Sequence, residues 1–174
     1  MKFFNYLFYL LKHKWFVMIE CFKYGLVWRG LIHDMSKFKL SEFTSYMNYF
    51  YGTYDDKVAL SGGVGVYTAW RNKVRTSRED KFNLAWLKHQ KVNKHHWQWW
   101  ILEKDDGGSC VLPMETKYVK EMICDWVGAG RARGKKSPKN DKYDETRRWY
   151  LSRKNKMRFH KKTRTMVEYL LGLH

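Results

Sequence analysis

The chain has 174 residues, 44% of them hydrophobic and 18% aromatic, with 34 Lys+Arg against 17 Asp+Glu for a formal charge of +17. That length suits one domain with a real core, and the apolar content excludes wholesale disorder. The positive excess points to a polyanionic partner, whether nucleic acid, nucleotide or an anionic membrane.

Only two prolines, Pro113 and Pro138, interrupt the chain, which favours long helices over a many-turned β architecture. Residues 2–29 read as a helix, with Phe4, Leu7, Phe8, Leu11, Trp15, Met18, Ile19 and Phe22 at steps of three and four. Lys12, His13 and Lys14 cut the apolar run below the roughly 20 residues of a membrane span, and no small-residue cleavage site follows. The segment therefore reads as a core helix, not as a signal or an anchor. Gly25 and Gly30 loosen the pattern before "LIHDMSKF". A second helix begins near Ser41, with Ser41 as cap and Glu42 in the first turn, runs through Phe43, Tyr46, Met47 and Phe50, and ends at Gly52. Residues 52–66 contain "SGGVGV", which lacks the GK[ST] ending of a phosphate cradle and reads as a loop. The longest helix is expected over about 79–104, stopped by "KDDGGS", and another over about 115–130. Residues 131–142, "RARGKKSPKNDK", form a basic mobile surface loop, and helices over about 144–155 and 162–172 close the chain. The fold class is all-α, one domain over 1–174. Cys21, Cys110 and Cys124 form no CxxC pair, which argues against a disulfide framework or a thiolate zinc finger and fits a reducing cytoplasm.

A divalent transition metal takes imidazole and carboxylate ligands held rigidly. Four places in apolar segments offer them: His13, the His33-Asp34 pair, the His89…His95-His96 segment, and Asp125. In the expected long helix, seven residues turn the chain by about 700°, so His89 and His96 share a face with Asn93 between them. Asp125 in "EMICDWVG" is flanked by apolar groups, a costly setting for an ionised carboxylate unless it is paired or bound to metal. Each residue alone also has a plain reading: a satisfied core histidine, a polar surface step, an Asp–Arg pair. Five of the seven histidines fall at these places. Mixed His/carboxylate ligation leaves Mn, Fe, Co, Ni and Zn open.

The succession His13, His33-Asp34 and Asp125 resembles the H…HD…D signature of HD-domain metal-dependent phosphohydrolases, and "HDMSK" is similar to the "HDIGK" of their cyclic-dinucleotide phosphodiesterase branch. The runs "HDMSKFKLSEFTSYMNYF", "AWLKHQKVNKHHWQWW" and "MICDWVGAGRARG" resemble a small HD-like family of uncharacterised function, common in phage and bacterial genomes. The resemblance implies an HD-like helical bundle in a cytoplasm, a host's if phage-encoded. It also implies His13, His33, Asp34 and Asp125 as ligands of one ion, with His89, His95 and His96 available for a second ion or for phosphate. The implied reaction is hydrolysis of a nucleotide or other small phosphate ester. Asp34 would orient or deprotonate the water and Lys37 would hold a phosphate oxygen. His89 and His96 would stabilise oxygens or protonate the leaving group. Arg131, Arg133, Lys135 and Lys136 would close over the phosphates. Glu42 is a second candidate acid or base, although a first-turn helical Glu needs no special explanation. A nucleic-acid-binding or phage accessory protein without catalysis is the alternative, with Trp149, Tyr150 and Phe159 interleaved among cations for base stacking.

Overall fold

A computed structural model describes the backbone of residues 1–52 and 64–173, and within these the side chains of all but 64–77. The chain is all-α: α1 (Lys2–Lys23), α2 (Val27–Ile32), α3 (Leu40–Tyr51), α4 (Val64–Val92), α5 (Thr116–Ala132), α6 (Asp144–Arg153) and α7 (Lys161–Leu170). A small antiparallel hairpin, β1 (Ile101–Glu103) with β2 (Ser109–Val111), is inserted before α5. Two compact units are formed, Met1–Phe8 with Met35–His89, and Tyr9–Asp34 with Gln90–His174.

In the first unit, α3 buries Phe43 and Tyr46. The Tyr6 ring packs edge-on to Phe43 at 4.8 Å, and Phe82 of α4 stacks on Tyr49 at 4.0 Å. The helix begins at Leu40 with no side-chain cap, so the expected Ser41 cap lies instead in its first turn. Gly52 ends it as expected, since a Cβ there would meet Asn48 O at 2.3 Å. The expected loop over 52–66 lies largely outside the described residues, and its last positions, 64–66, belong to α4.

In the second unit, the core is centred on α5, where Val119, Met122, Ile123 and Val127 meet Tyr150 of α6, Val167 of α7 and Trp100. Each such fully buried aliphatic side chain contributes about 1.5–3 kcal/mol of transfer free energy. Gly128 lets α5 approach α1: a Cβ there would lie 2.4 Å from Val17 Cγ2. That close approach brings the turn of α1 around His13 against the turn of α5 around Asp125.

Three expectations are corrected. The helix expected over 2–29 is broken, because α1 stops at Lys23 and Gly25 takes φ +71°, a conformation without cost only for glycine. The apolar stripe of α1 is its outer face: Phe4, Phe8, Leu11 and Trp15 are exposed, while Tyr6, Leu10, His13, Val17, Glu20 and Cys21 are buried. The helix is apolar on both sides, so periodicity alone could not say which side faces inward. The helix expected over 79–104 ends at Val92. Val92 and Asn93 are weak helix formers. Beyond them the Trp100 indole donates to Lys94 O at 2.8 Å, and Ile101, Leu102 and Glu103 pair with Val111, Cys110 and Ser109.

Candidate metal centre

The site belongs to the second unit and is built by three helical segments. His13 lies on α1, one turn before Val17. The short α2 ends at Ile32, and His33 leaves the helix with φ −50°, ψ 129°. Asp34 then adopts φ +53°, the one left-handed non-glycine among the described residues. Such a backbone persists only where surrounding structure imposes it, and it tends to occur at functional sites. Lys14 Nζ caps the frayed end of α2 by donating to Leu31 O at 2.7 Å and His33 O at 3.0 Å. The third segment, α5, presents Glu121 and Asp125 one turn apart on one face.

The side chains of His13, His33 and Asp34 are at most 3% exposed, and that of Asp125 is 14% exposed. His13 Nε2 lies 3.5 Å from Asp34 Oδ2 and 3.2 Å from Asp125 Oδ1. His33 Nε2 lies 3.3 Å from Asp34 Oδ2 and 3.5 Å from Asp125 Oδ1. Ligand atoms from these four residues fall within 4.8 Å of one another. Two ligands each about 2.1 Å from one ion, at octahedral to tetrahedral angles, are about 3.0–3.4 Å apart. The observed nitrogen–oxygen separations sit at that spacing. The buried atoms His13 Nε2 and His33 Nε2 face the carboxylates yet have no hydrogen-bond partner. Buried polar atoms are rarely left so, and the residues therefore fit a divalent cation.

The second layer orients the first. His33 Nδ1 pairs with Glu121 Oε1 at 3.2 Å, and Arg29 Nε donates to Glu121 Oε2 at 2.5 Å. His95 places Nδ1 3.4 Å from Glu121 Oε1 and Nε2 3.4 Å from Asp34 Oδ1. A carboxylate on one ring nitrogen fixes the tautomer and leaves the other nitrogen as the ligand. Burial alone would push the His33 imidazole down, but the Asp34 charge and the adjacent Asp125 and Glu121 carboxylates raise it well above its ordinary range. Burial likewise opposes the ionisation of Asp125 and Glu121. The imidazoles of His13 and His33 nevertheless hold Asp125 well below its usual range, and those of His33 and His95 lower Glu121. His95 is pushed down by burial and by the neighbouring His33.

His89 is in the first unit, where its Nδ1 lies 3.0 Å from Glu42 Oε2 and 2.9 Å from Ser36 Oγ. Glu42 is thus the buried partner of an imidazole and not an ordinary first-turn acid. Lys37 Nζ lies 5.9 Å from the Tyr46 ring centroid. The face expected to carry His89, Asn93 and His96 on one helix does not form, because Asn93 and His96 follow the end of α4. His95 and His96 are buried there, ring centroids 4.2 Å apart. Arg131 ends α5 in an ion pair with the buried Glu20, and Arg133, Lys135 and Lys136 are exposed beyond it. Of the residues read for base stacking, Tyr150 is fully buried and cannot stack on a base, while Trp149 and Phe159 are partly buried against the core.

Sequence reasoning missed Glu121, Arg29 and Lys14. The signal for Glu121 was its spacing, four residues before Asp125 on the same apolar face, where a carboxylate is as costly as at Asp125.

Among the described residues no helix is long and apolar enough to cross a membrane. No curated protein and no solved structure matches the chain. Residues 2–173 match the family of unknown function DUF5662, and the chain belongs to that family.

Proposed function

We propose that this chain is a metal-dependent phosphohydrolase acting on a nucleotide or another small phosphate ester, with one divalent transition-metal ion held by His13, His33, Asp34 and Asp125. The observation that carries the reading is the convergence of four donor residues, three buried and Asp125 partly so, with two imidazole nitrogens that have no hydrogen bond. The resemblance to the H…HD…D signature of HD-domain phosphohydrolases supports it from the sequence side. When bound, such an ion polarises a phosphoryl oxygen and activates water. The chain's own residues do the rest. Glu121 holds the His33 Nδ1 proton, so Nε2 is presented as a lone pair. Asp34, fixed by its left-handed backbone, orients the attacking water and accepts its proton. His96 stabilises phosphate oxygens or protonates the leaving group, and His95 joins it in taking phosphate or a second ion. Elemental analysis of the purified chain, followed by a phosphatase screen across nucleotides with Mn or Co added, tests this. His33→Ala is expected to lose both bound metal and turnover while remaining helical. Turnover retained in that variant overturns the reading.

A further inference from the structure

A cleft of about 390 Å³ opens where the chain leaves α5 and enters α6, within the second unit. Its shape follows from local sequence. Gly134, at φ +78°, ends α5, with Lys135 N bonded to Gly130 O at 3.0 Å and Gly134 N to Arg131 O at 2.9 Å. This pattern reverses the chain direction after a helix. The far side is tied down as well: Ser137 Oγ accepts from Glu145 N at 3.1 Å, Asp141 N bonds Pro138 O at 3.1 Å, and the Asp141 carboxylate pairs with Arg147.

Five cations line the space, Arg131, Lys135, Lys136, Lys139 and Lys142, against one acid, Glu145. Glu20 neutralises Arg131, but a guanidinium has five donors and this contact occupies one nitrogen. Among the described residues none of the four lysines makes an ion pair; Lys142 lies only over the Tyr143 ring, at 4.7 Å. Four uncompensated ammonium groups around one concavity focus a positive potential that an anion relieves. Among the described residues no aromatic ring lines the cleft, so these offer a surface for phosphates and none for stacking a base. Its volume is that of a small-ligand site.

We propose that this cleft binds a chain of phosphate groups, such as a linear triphosphate, at a site separate from the metal centre. Six residues along α5, about 9 Å of rise, separate Asp125 from Arg131, and the two point about a third of a turn apart. The binding needs no metal and does not rest on the hydrolytic reading.

The test is calorimetric titration of the full chain with inorganic tripolyphosphate in the presence of EDTA. The double variant Lys135→Glu/Lys136→Glu is expected to weaken binding by about tenfold or more, because charge reversal removes two phosphate contacts and adds repulsion. Lys161→Glu/Lys162→Glu on α7 makes the same change in net charge away from the cleft and is expected to weaken binding by less than about threefold, an effect of long-range screened charge. Both pairs lie on exposed positions, and circular dichroism checks that the fold is intact. ATP binding through its phosphates with the same variant pattern supports the site. Equal weakening by both variants, no binding of tripolyphosphate at low salt, or binding of a single-stranded oligonucleotide alone overturns it.

Discussion

Replacing Glu121 by Gln keeps the side chain's size and removes its charge. Glu121 is 3% exposed and bonds both the His33 ring and Arg29, whose side chain is 26% exposed. Removing one partner of a fully buried ion pair costs about 3–5 kcal/mol. Here Arg29 reaches solvent and the Gln carbonyl still accepts one bond, so about 1–2 kcal/mol of stability is expected to be lost. The effect on metal is separate. Losing the carboxylate that orients a ligating imidazole typically weakens metal binding by about 10–100-fold, or about 1.4–2.7 kcal/mol. Competition of the metal-stripped protein against a chromophoric chelator, with Co or Zn at fixed pH, measures this beside a urea melt. An unchanged metal affinity in a folded Glu121→Gln variant refutes the reasoning, because His33 would then need no orienting partner.

Asp34→Asn retains a residue type that tolerates the left-handed backbone but loses the ligand charge. The metal-free melting temperature is expected to fall, because the charge that raises the buried His33 imidazole is gone, and the stabilisation conferred by added metal is expected to disappear; a retained metal-dependent shift in thermal melts contradicts this. Gly128→Ala forces a Cβ into Val17, costing about 1–3 kcal/mol of stability and, by parting α1 from α5, weakening metal binding as well. Denaturant melts and metal titration of that variant check both. In the metal-free chain the raised His33 imidazole contributes stability that is full below about pH 6.5 and is lost as pH rises through its folded pKa. The depressed Asp125 carboxyl contributes stability present above its ordinary 3.8 and lost as pH falls through its folded value. A cation must displace the His33 proton, so affinity rises with pH and then levels off, with proton release measurable by calorimetry in two buffers. A pH-independent affinity contradicts the assignment of His33 as a ligand.

Much of the helical plan was legible. Gly52, the apolar run of α5 and the two short closing helices stand close to where punctuation and periodicity put them. That Asp125 needs a partner was legible because an ionised carboxylate among apolar groups is costly; its grouping with His13, His33 and Asp34 came from the resemblance to the H…HD…D signature. What stayed hidden depended on competition between near-equal local preferences. The step from His89 to His96 fits a helix well, and only the Trp100 indole bond and the hairpin pairing past Val92 decide against one. The inward side of α1 was hidden because its outer face carries the larger aromatics. Its inner face carries the small Cys21 and the polar His13 and Glu20. Glu121 was hidden for another reason: a glutamate directly after Lys120 in a helix resembles solvated surface until its neighbours are known.

X-ray absorption at the metal edge of the Co- or Zn-loaded chain tests most directly whether these residues share one ion. A shell of nitrogen and oxygen only, at about 2.0–2.2 Å with imidazole scattering, is expected. That shell should be lost or altered in both His13→Ala and Asp125→Ala. A sulfur shell at about 2.3 Å, or a spectrum that both substitutions leave unchanged, contradicts it.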